Sequence, residues 1–586
     1  MVLFVFVLLI LCNIALGAIY GSIDDLPTRR FHYIIIGGGG AGNVLANRLT
    51  EDSHISVLVL EAGESTADVL LSQVPFFSSR LSGSSLDWNF TTTEQPGLNG
   101  RSIPFSRGFG LGGSSAINGM SYIRGSSQDY DRYARVSGDP GWAWDQMQRY
   151  LRKNERFVAP ADHHNTTGQF DPKVHGFNGI TFVSLPGYPR ATDERVIQTT
   201  ADLSSQFPFN LDYNSGYQLG IGWAPLTVGN GTRSSSQTSY LGPGYINRPN
   251  LHVLIHARVT RILDIKKGRK PPLFNAVEFT QDAGATMHVL APSSLREIIL
   301  SAGSIGTPHI LLHSGVGDDS ELATLGIAST LNLPDVGRNL SDQVLWTVPF
   351  TVNSTNTIEN IYYRNVTFQE ETLAEWKSNQ TGFLTVSVAN QRGFFRIPED
   401  TGVLDGEPCA GNETAHYELS FVNGINSNPP PEVGNFFVIA PAVLCPLSRG
   451  AVTINSTNPL DAPVINPNYL SHAQDLDIMK FAVEGAKKFV TGPAWDGYIL
   501  DIATNTTDQD IRNGASNLNH AVGTASMSPV GADWGVVDPD LRMKGARGVR
   551  IADASVLPFV PAGHTQTAVY IFAERAADLI KASAGM

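Results

Sequence analysis

Cysteine is almost missing from this 586-residue chain, which has three, at Cys12, Cys409 and Cys445. Neither C-x-x-C nor H-E-x-x-H occurs, so the sequence offers no zinc-type spacing and no dithiol redox motif, and no metal site is expected. Charge is also scarce, at 16% of residues, and it leans acidic, with a formal net charge of −13 when His is neutral. Such a surface repels phosphate backbones, which argues against nucleic acid as a partner. Long apolar runs are confined to the first 17 residues, "MVLFVFVLLILCNIALG". That run is short for a membrane span and ends in a small-x-small pattern at Ala15 and Gly17. Residues 1–17 therefore read as an export signal with Ala18 first in the mature chain, a signal anchor being the alternative. No later segment is long and apolar enough to span a bilayer, so no membrane partner is expected.

Export agrees with the sequons starting at Asn89, Asn165, Asn230, Asn339, Asn353, Asn365, Asn379, Asn412, Asn455 and Asn505. The expectation is a secreted, extracellular glycoprotein. Without Cys12 the mature chain keeps Cys409 and Cys445. A single disulfide and two separate buried thiols are equally open readings. The length exceeds what one core supports, so two large domains are expected.

"FHYIIIGGGGAGNVLANRL", Phe31 to Leu49, reads as strand, tight turn and helix. Gly37, Gly39 and Gly42 fall at G-x-G-x-x-G spacing, and the next strand, "ISVLVLEAG", ends at Glu61. Strand before, helix after and an acid on the following strand lift this glycine motif to a dinucleotide fingerprint. Gly37 permits the turn, Gly39 lets a pyrophosphate approach, and Gly42 lets helix and strand pack closely. The helix N-terminus offers free N–H groups to phosphate. Glu61 can accept from an adenosine ribose and would repel a 2′-phosphate.

Other stretches organise the chain more loosely. "LGGSSAINGMSYIRG", Leu111 to Gly125, is too small-sided to fill a core and suits contact with a flat ligand or phosphate; Gly112, Ser115 and Asn118 lie in it. "LHVLIHARVTRILDI" reads as one or two strands, and "REIILSAGSIGTPHILLHSGVG" as strand, glycine turn and helix. From about Trp346 to Pro441 the pattern is least regular, and it is read as part of a second domain with long loops. "SHAQDLDIMKFAVEGAKKFVTG" is a helix with Ser471 as its cap. Near the end, His520 in "SNLNHAVGTASMSP" and His564 in "VPAGHTQTAVY" both sit among small residues.

Taken together these motifs resemble the glucose–methanol–choline (GMC) family of flavin oxidoreductases. "GGGGAGNVLANRL" with Glu61 is similar to its FAD fingerprint. "GRSIPFSRGFGLGGSSAINGMSYIRG" and "GSIGTPHILLHSGVG" resemble its two signatures, and "NHAVGTASM" and "PAGHTQTAVYIFAERAADLI" its catalytic end. The likeness spans nearly the whole mature chain. It implies an α/β fold (α+β overall), with a Rossmann-like FAD-binding domain and a substrate-binding domain built on an antiparallel sheet with helices. The FAD-binding pieces would lie at roughly 28–110, 235–335 and 510–586, and the substrate domain at 111–234 and 336–509.

The resemblance also implies roles. His520 matches the catalytic base and His564 the second active-site residue, with Thr565 and Gln566 beside it at the cofactor. Asn118 matches the stretch that passes the flavin ring, Val259 a residue whose backbone meets adenine, and Asp553 one near the pyrophosphate and ribityl chain. Ile117 stands where some relatives carry a histidine bonded to flavin, so FAD is expected to be non-covalent. Base chemistry suits the reaction class, because an alcohol gives up hydride readily only as its hydroxyl proton leaves, and neutral imidazole can take that proton.

Within the family, "DWNFTTT", "RSSSQTSYL" and "VGRNLSDQ" look like secreted fungal aryl-alcohol oxidases. That group implies a monomer that turns benzylic or allylic alcohols into aldehydes while O₂ becomes H₂O₂. The alternative is a sugar or aliphatic alcohol oxidoreductase using O₂ or a quinone. Two pocket positions depart from the group: Phe90 replaces a tyrosine, and Asn519 replaces a phenylalanine. The loop Phe421 to Asn435 also fails to align with the group's aromatic access loop.

Overall fold

The computed structural model describes residues 18–427 and 429–586; the expected signal, residues 1–17, lies outside them. The short apolar runs become a six-stranded parallel sheet. Its order is Ala18–Tyr20, Leu251–Leu254, Val57–Leu60, Tyr33–Ile36, Glu297–Leu300 and Val549–Ile551. The strands Tyr33–Ile36, Val57–Leu60 and Leu251–Leu254 are buried at every position, as a sheet covered on both faces requires. The fingerprint helix Gly40–Leu49 packs beside the last helix, Thr565–Ser583, and the two are pinned by a buried pair, Arg48 Nη2 to Glu574 Oε1 at 2.8 Å. The first strand, Ala18–Tyr20, lies ahead of residue 28, where the cofactor domain is expected to start.

A second, eight-stranded sheet is built on antiparallel strands. Its main path runs Ile499–Ile502, Val348–Val352, Phe436–Val443, Tyr417–Val422, Ala389–Phe395 and Gly220–Trp223. The helix Ala473–Phe489 packs Leu476, Met479, Ala482, Ala486 and Phe489 into the core beneath it. The structure is thus a two-domain fold, a Rossmann-like sheet joined to a sheet-plus-helix domain.

Two readings of the sequence change, and a third, left open between one strand and two, is resolved. The stretch read as irregular contributes four strands of the second sheet. Ala389–Phe395 and Tyr417–Val422 are buried at every position, so neither shows the alternation that marks a half-exposed strand. The cap of helix Ala473–Phe489 is His472, whose side chain accepts from Gln474 N, and not Ser471. "LHVLIHARVTRILDI" is two strands in different sheets, split by His256 in the left-handed region at φ 58°.

Cys409 and Cys445 are joined by a disulfide across 5.4 Å between Cα atoms, which settles the pairing left open by spacing. A polar knot braces the surrounding loops. His175 is fully enclosed, with Nδ1 2.7 Å from Glu155 Oε1 and Nε2 2.7 Å from Asp212 Oδ2, while Arg124 Nη2 bonds Glu155 Oε2 at 2.8 Å. Burial presses the His175 imidazole toward neutrality, but bonds to Asp212 and Glu155 outweigh it and raise its pKa. No helix among the described residues is long and apolar enough to cross a membrane.

Candidate active site

The fingerprint turn shows why each glycine is glycine. Gly37 adopts φ 99°, and a Cβ there would stand 2.5 Å from the Ser301 carbonyl oxygen. A Cβ on Gly42 would meet the Gly37 carbonyl oxygen at 2.0 Å, so helix and turn can approach only without it. At Gly39 the nearest atom to such a Cβ is 3.7 Å away, on Gly113 of the second glycine loop. The two loops touch, a Cβ on Gly113 falling 2.8 Å from Gly39 Cα, and both border the cavity at the helix N-terminus. Glu61 closes the turn, accepting from Gly38 N at 2.8 Å and Gly63 N at 2.9 Å, and burial raises its pKa. Ser115 Oγ accepts from Ser236 N at 2.9 Å and donates to the Gly112 carbonyl at 2.6 Å, which fixes the second loop.

A continuous cavity of about 820 Å³ runs from this turn to the two C-terminal histidines. Of the residues expected to hold the cofactor, Gly37, Gly39, Glu61, Ser115, Asn118, Val259, Asp553, Thr565 and Gln566 line it. Gly42 and Gly112 do not, and instead serve backbone packing behind the wall. Ile117 lines it beside Asn118. Asn118 is held in place by a bond from its side-chain amide to Gln566 and by Arg233 Nη1, which donates to its Oδ1 at 2.8 Å. Asp553 accepts from Gly303 N at 2.9 Å and Thr307 Oγ1 at 2.6 Å, tying the last strand to the helix Gly303–His313.

At the far end His520 and His564 meet with ring centroids 4.7 Å apart and planes inclined by 72°. His520 Nδ1 lies 2.6 Å from Gln343 Oε1, and its backbone N–H donates to Asp342 Oδ1 at 2.7 Å. His564 Nε2 lies 3.0 Å from Glu418 Oε2. Glu418 is 1% exposed and also contacts Arg392 and Ser420. Burial pushes the Glu418 carboxyl up, yet the Arg392 guanidinium and His564 hold it well below the usual carboxylate range. Burial, then the neighbouring His564, depress His520 strongly; burial also lowers His564, with Glu418 opposing. Both shifts favour the neutral imidazole, most strongly at His520.

Phe90 and Asn519 line the same cavity. Phe90 stacks on Trp88 at 5.5 Å between centroids, giving one flat apolar face. Asn519 sits at φ 59° and its carbonyl takes Arg107 Nη1 at 2.8 Å, while its side-chain Oδ1 is buried without a protein partner. Ser78, Ser79, Ser82, Ser106 and Asn426 add hydroxyls and an amide to the lining. Sequence reasoning missed Gln343, Asp342, Glu418 and Arg392. One signal was available: Glu418 is an acid inside the otherwise apolar run "YELSFV". Among the described residues one group of three metal-type donors occurs, Glu407, Cys409 and His416, but the Cys409 sulfur is consumed by the disulfide.

Comparison with known proteins places this geometry in company. Two sequence models described as GMC oxidoreductase match residues 31–345 and 446–573. The dehydrogenase eriK of Hericium erinaceus is 39% identical over 591 residues, covering 97% of each chain. A pyranose dehydrogenase of Agaricus xanthodermus is 38% identical, covering 97% of this chain and 96% of the relative. Among solved structures, a variant of Aspergillus oryzae formate oxidase superposes with TM-score 0.85 at 26% identity, over 94% of this chain and 98% of that one. A fungal aryl-alcohol oxidase has TM-score 0.80 over 95% and 100%, but at 24% identity it shares the fold alone. The comparisons show the GMC family and do not single out the aryl-alcohol oxidases within it, the higher identities belonging to a dehydrogenase and a pyranose dehydrogenase.

Proposed function

The chain belongs to the GMC oxidoreductase family, whose fold binds FAD, and on that premise we propose that it oxidises a hydroxyl group of a sugar-like polyol. The electrons pass to a quinone or to O₂, the quinone being favoured because the relatives of higher identity are named dehydrogenases. The cavity wall at Gly39, Gly40, Ala41 and Gly113 and the first N–H groups of the helix Gly40–Leu49 suit a pyrophosphate. Ile117 in the cavity wall supports non-covalent binding. Bound FAD would supply the acceptor for the hydride that leaves the carbinol carbon.

The residues around the histidines supply proton chemistry and position. His520, neutral and facing the cavity, takes the hydroxyl proton as the C–H bond breaks. His564, tied to an ionised Glu418, completes the contact with the substrate oxygen. Glu418 then offsets the positive charge the pair has gained.

The observation that carries the polyol reading is Asn519. Asn519 lines the cavity next to His520, and an amide at that place offers a substrate hydroxyl a hydrogen-bond partner. The serines at the lining extend the same preference. One observation favours aromatic or allylic primary alcohols instead, namely the flat Phe90–Trp88 face, which suits a conjugated ring.

The deciding experiment compares kcat/KM for glucose and other pyranoses against anisyl, cinnamyl and benzyl alcohols and hexanol, each with O₂ and with a benzoquinone. A pyranose with quinone is expected to be best. Conjugated alcohols outrunning every sugar would overturn the polyol reading and reinstate the aromatic one. Acid precipitation of the yellow protein is expected to leave flavin in the supernatant; flavin retained in the pellet would show a covalent bond.

A further inference from the structure

His520 has two ring nitrogens, and only a bare one can take a proton from substrate. The surroundings of Gln343 decide which one is bare. The Gln343 side-chain nitrogen donates to the Leu444 carbonyl at 2.8 Å and to the Pro561 carbonyl at 3.0 Å. Both partners are acceptors without a hydrogen, so turning the amide over would set its oxygen against two carbonyl oxygens. The amide orientation is therefore fixed, and Oε1 is the atom 2.6 Å from His520 Nδ1. An amide oxygen only accepts, so Nδ1 carries the hydrogen and Nε2 is left with its lone pair.

We propose that Gln343 is a positioning residue that locks His520 in its Nδ1–H tautomer and so makes Nε2 the proton-accepting atom. This rests on the assignment of His520 as base made above. The preceding residue completes the clamp. Asp342 Oδ1 accepts from His520 N at 2.7 Å, and Asp342 Oδ2 is held by Tyr469 OH at 2.6 Å. Two adjacent residues thus grip the histidine by its backbone and by its ring. The Pro561 carbonyl lies three residues before His564, so the same amide also sets the spacing between the two imidazoles.

A neutral amide serves a purpose here that a carboxylate would not. Once Nε2 has taken a proton, an amide leaves the imidazolium without a full countercharge on that side, so the proton can leave again. A carboxylate in contact with Nδ1 would hold it. On protonation no bond is broken other than the substrate O–H: its proton moves to Nε2, and the Nδ1–H bond to Gln343 persists.

The test reads the tautomer directly. Holoenzyme labelled with ¹⁵N-histidine is examined by long-range ¹H–¹⁵N correlation at neutral pH, and the His520 signals are identified by their absence in His520→Gln. An Nδ1–H pattern is expected; an Nε2–H pattern would overturn the proposal. In parallel, Gln343→Met, which keeps length but removes the amide acceptor, is expected to slow anaerobic flavin reduction at saturating substrate by about 10²-fold or more, within the range a general base supplies. KM and FAD content should move less than threefold. A reduction rate within threefold of the parent would also sink it. If the variant fails to fold, the spectrum of the parent protein decides alone. Because that spectrum needs no substrate, it separates this proposal from the polyol reading, which fails if conjugated alcohols outrun every sugar.

Discussion

Replacing Glu418 by Gln removes one negative charge from behind the histidine pair while keeping shape and most hydrogen-bonding capacity. Its effect on rate can be worked from the structure. Glu418 Oε2 lies 3.0 Å from His564 Nε2, and the two imidazole centroids are 4.7 Å apart. The proton arriving on His520 then sits on the order of 7 Å from the lost charge, which at an effective dielectric near 20 is worth about 2.4 kcal/mol. That charge is felt in the transition state and not in the neutral resting site, so flavin reduction should slow by roughly 60-fold. The assay is anaerobic stopped-flow bleaching at saturating substrate, with FAD content checked by absorbance. Arg392 is left without its carboxylate in Glu418→Gln, so the melting temperature should fall too, and measurements belong well below it. A rate within threefold of the parent, in folded and fully loaded protein, would refute the electrostatic argument.

Four further outcomes are expected. His520→Ala should cut the rate of flavin reduction by about 10²–10⁴-fold with little loss of FAD; a rate within about threefold would remove it from the base role. Because burial depresses His520, reduction by substrate should hold steady as pH falls through the ordinary imidazole range near 6.5, and decline only below it. Cys445→Ser opens a loop of 36 residues in sequence separation and should cost about 4 kcal/mol, read as a lower melting temperature without change in flavin spectrum. His175 has a raised pKa, so its stabilisation is complete below pH about 6.5 and is lost as pH rises through the raised value; His175→Gln should flatten that alkaline decline in melting temperature, and an unchanged slope would show the imidazole is neutral.

What could be read in the sequence was what is local. Gly37, Gly39, Gly42 and Glu61 declare themselves because the turn, the helix start and the next strand lie within one βαβ unit. The second sheet was hidden for the opposite reason. The strand Phe436–Val443 is almost wholly buried, so it shows no alternation, and Pro441 within its apolar run argues against a central strand. The two histidines were found through family likeness, but their partners were not. Gln343 is 177 residues from His520, and Glu418 is 146 residues from His564, distances over which spacing carries no signal. Asp342 and Gln343 were in view inside "VGRNLSDQ", where nothing local marks them as facing the end of the chain.

The carbonyl of Leu444 that orients Gln343 belongs to the residue just before Cys445, one half of the disulfide. The choice of expression host therefore reaches the chemistry. Protein produced in a reducing cytosol lacks the covalent tether next to that carbonyl, and a fraction of molecules will present His520 with a loosened ring even though FAD is bound. Preparations with the same flavin content but different free-thiol content should then differ in turnover, and thiol titration becomes as necessary a measure of active enzyme as the yellow colour.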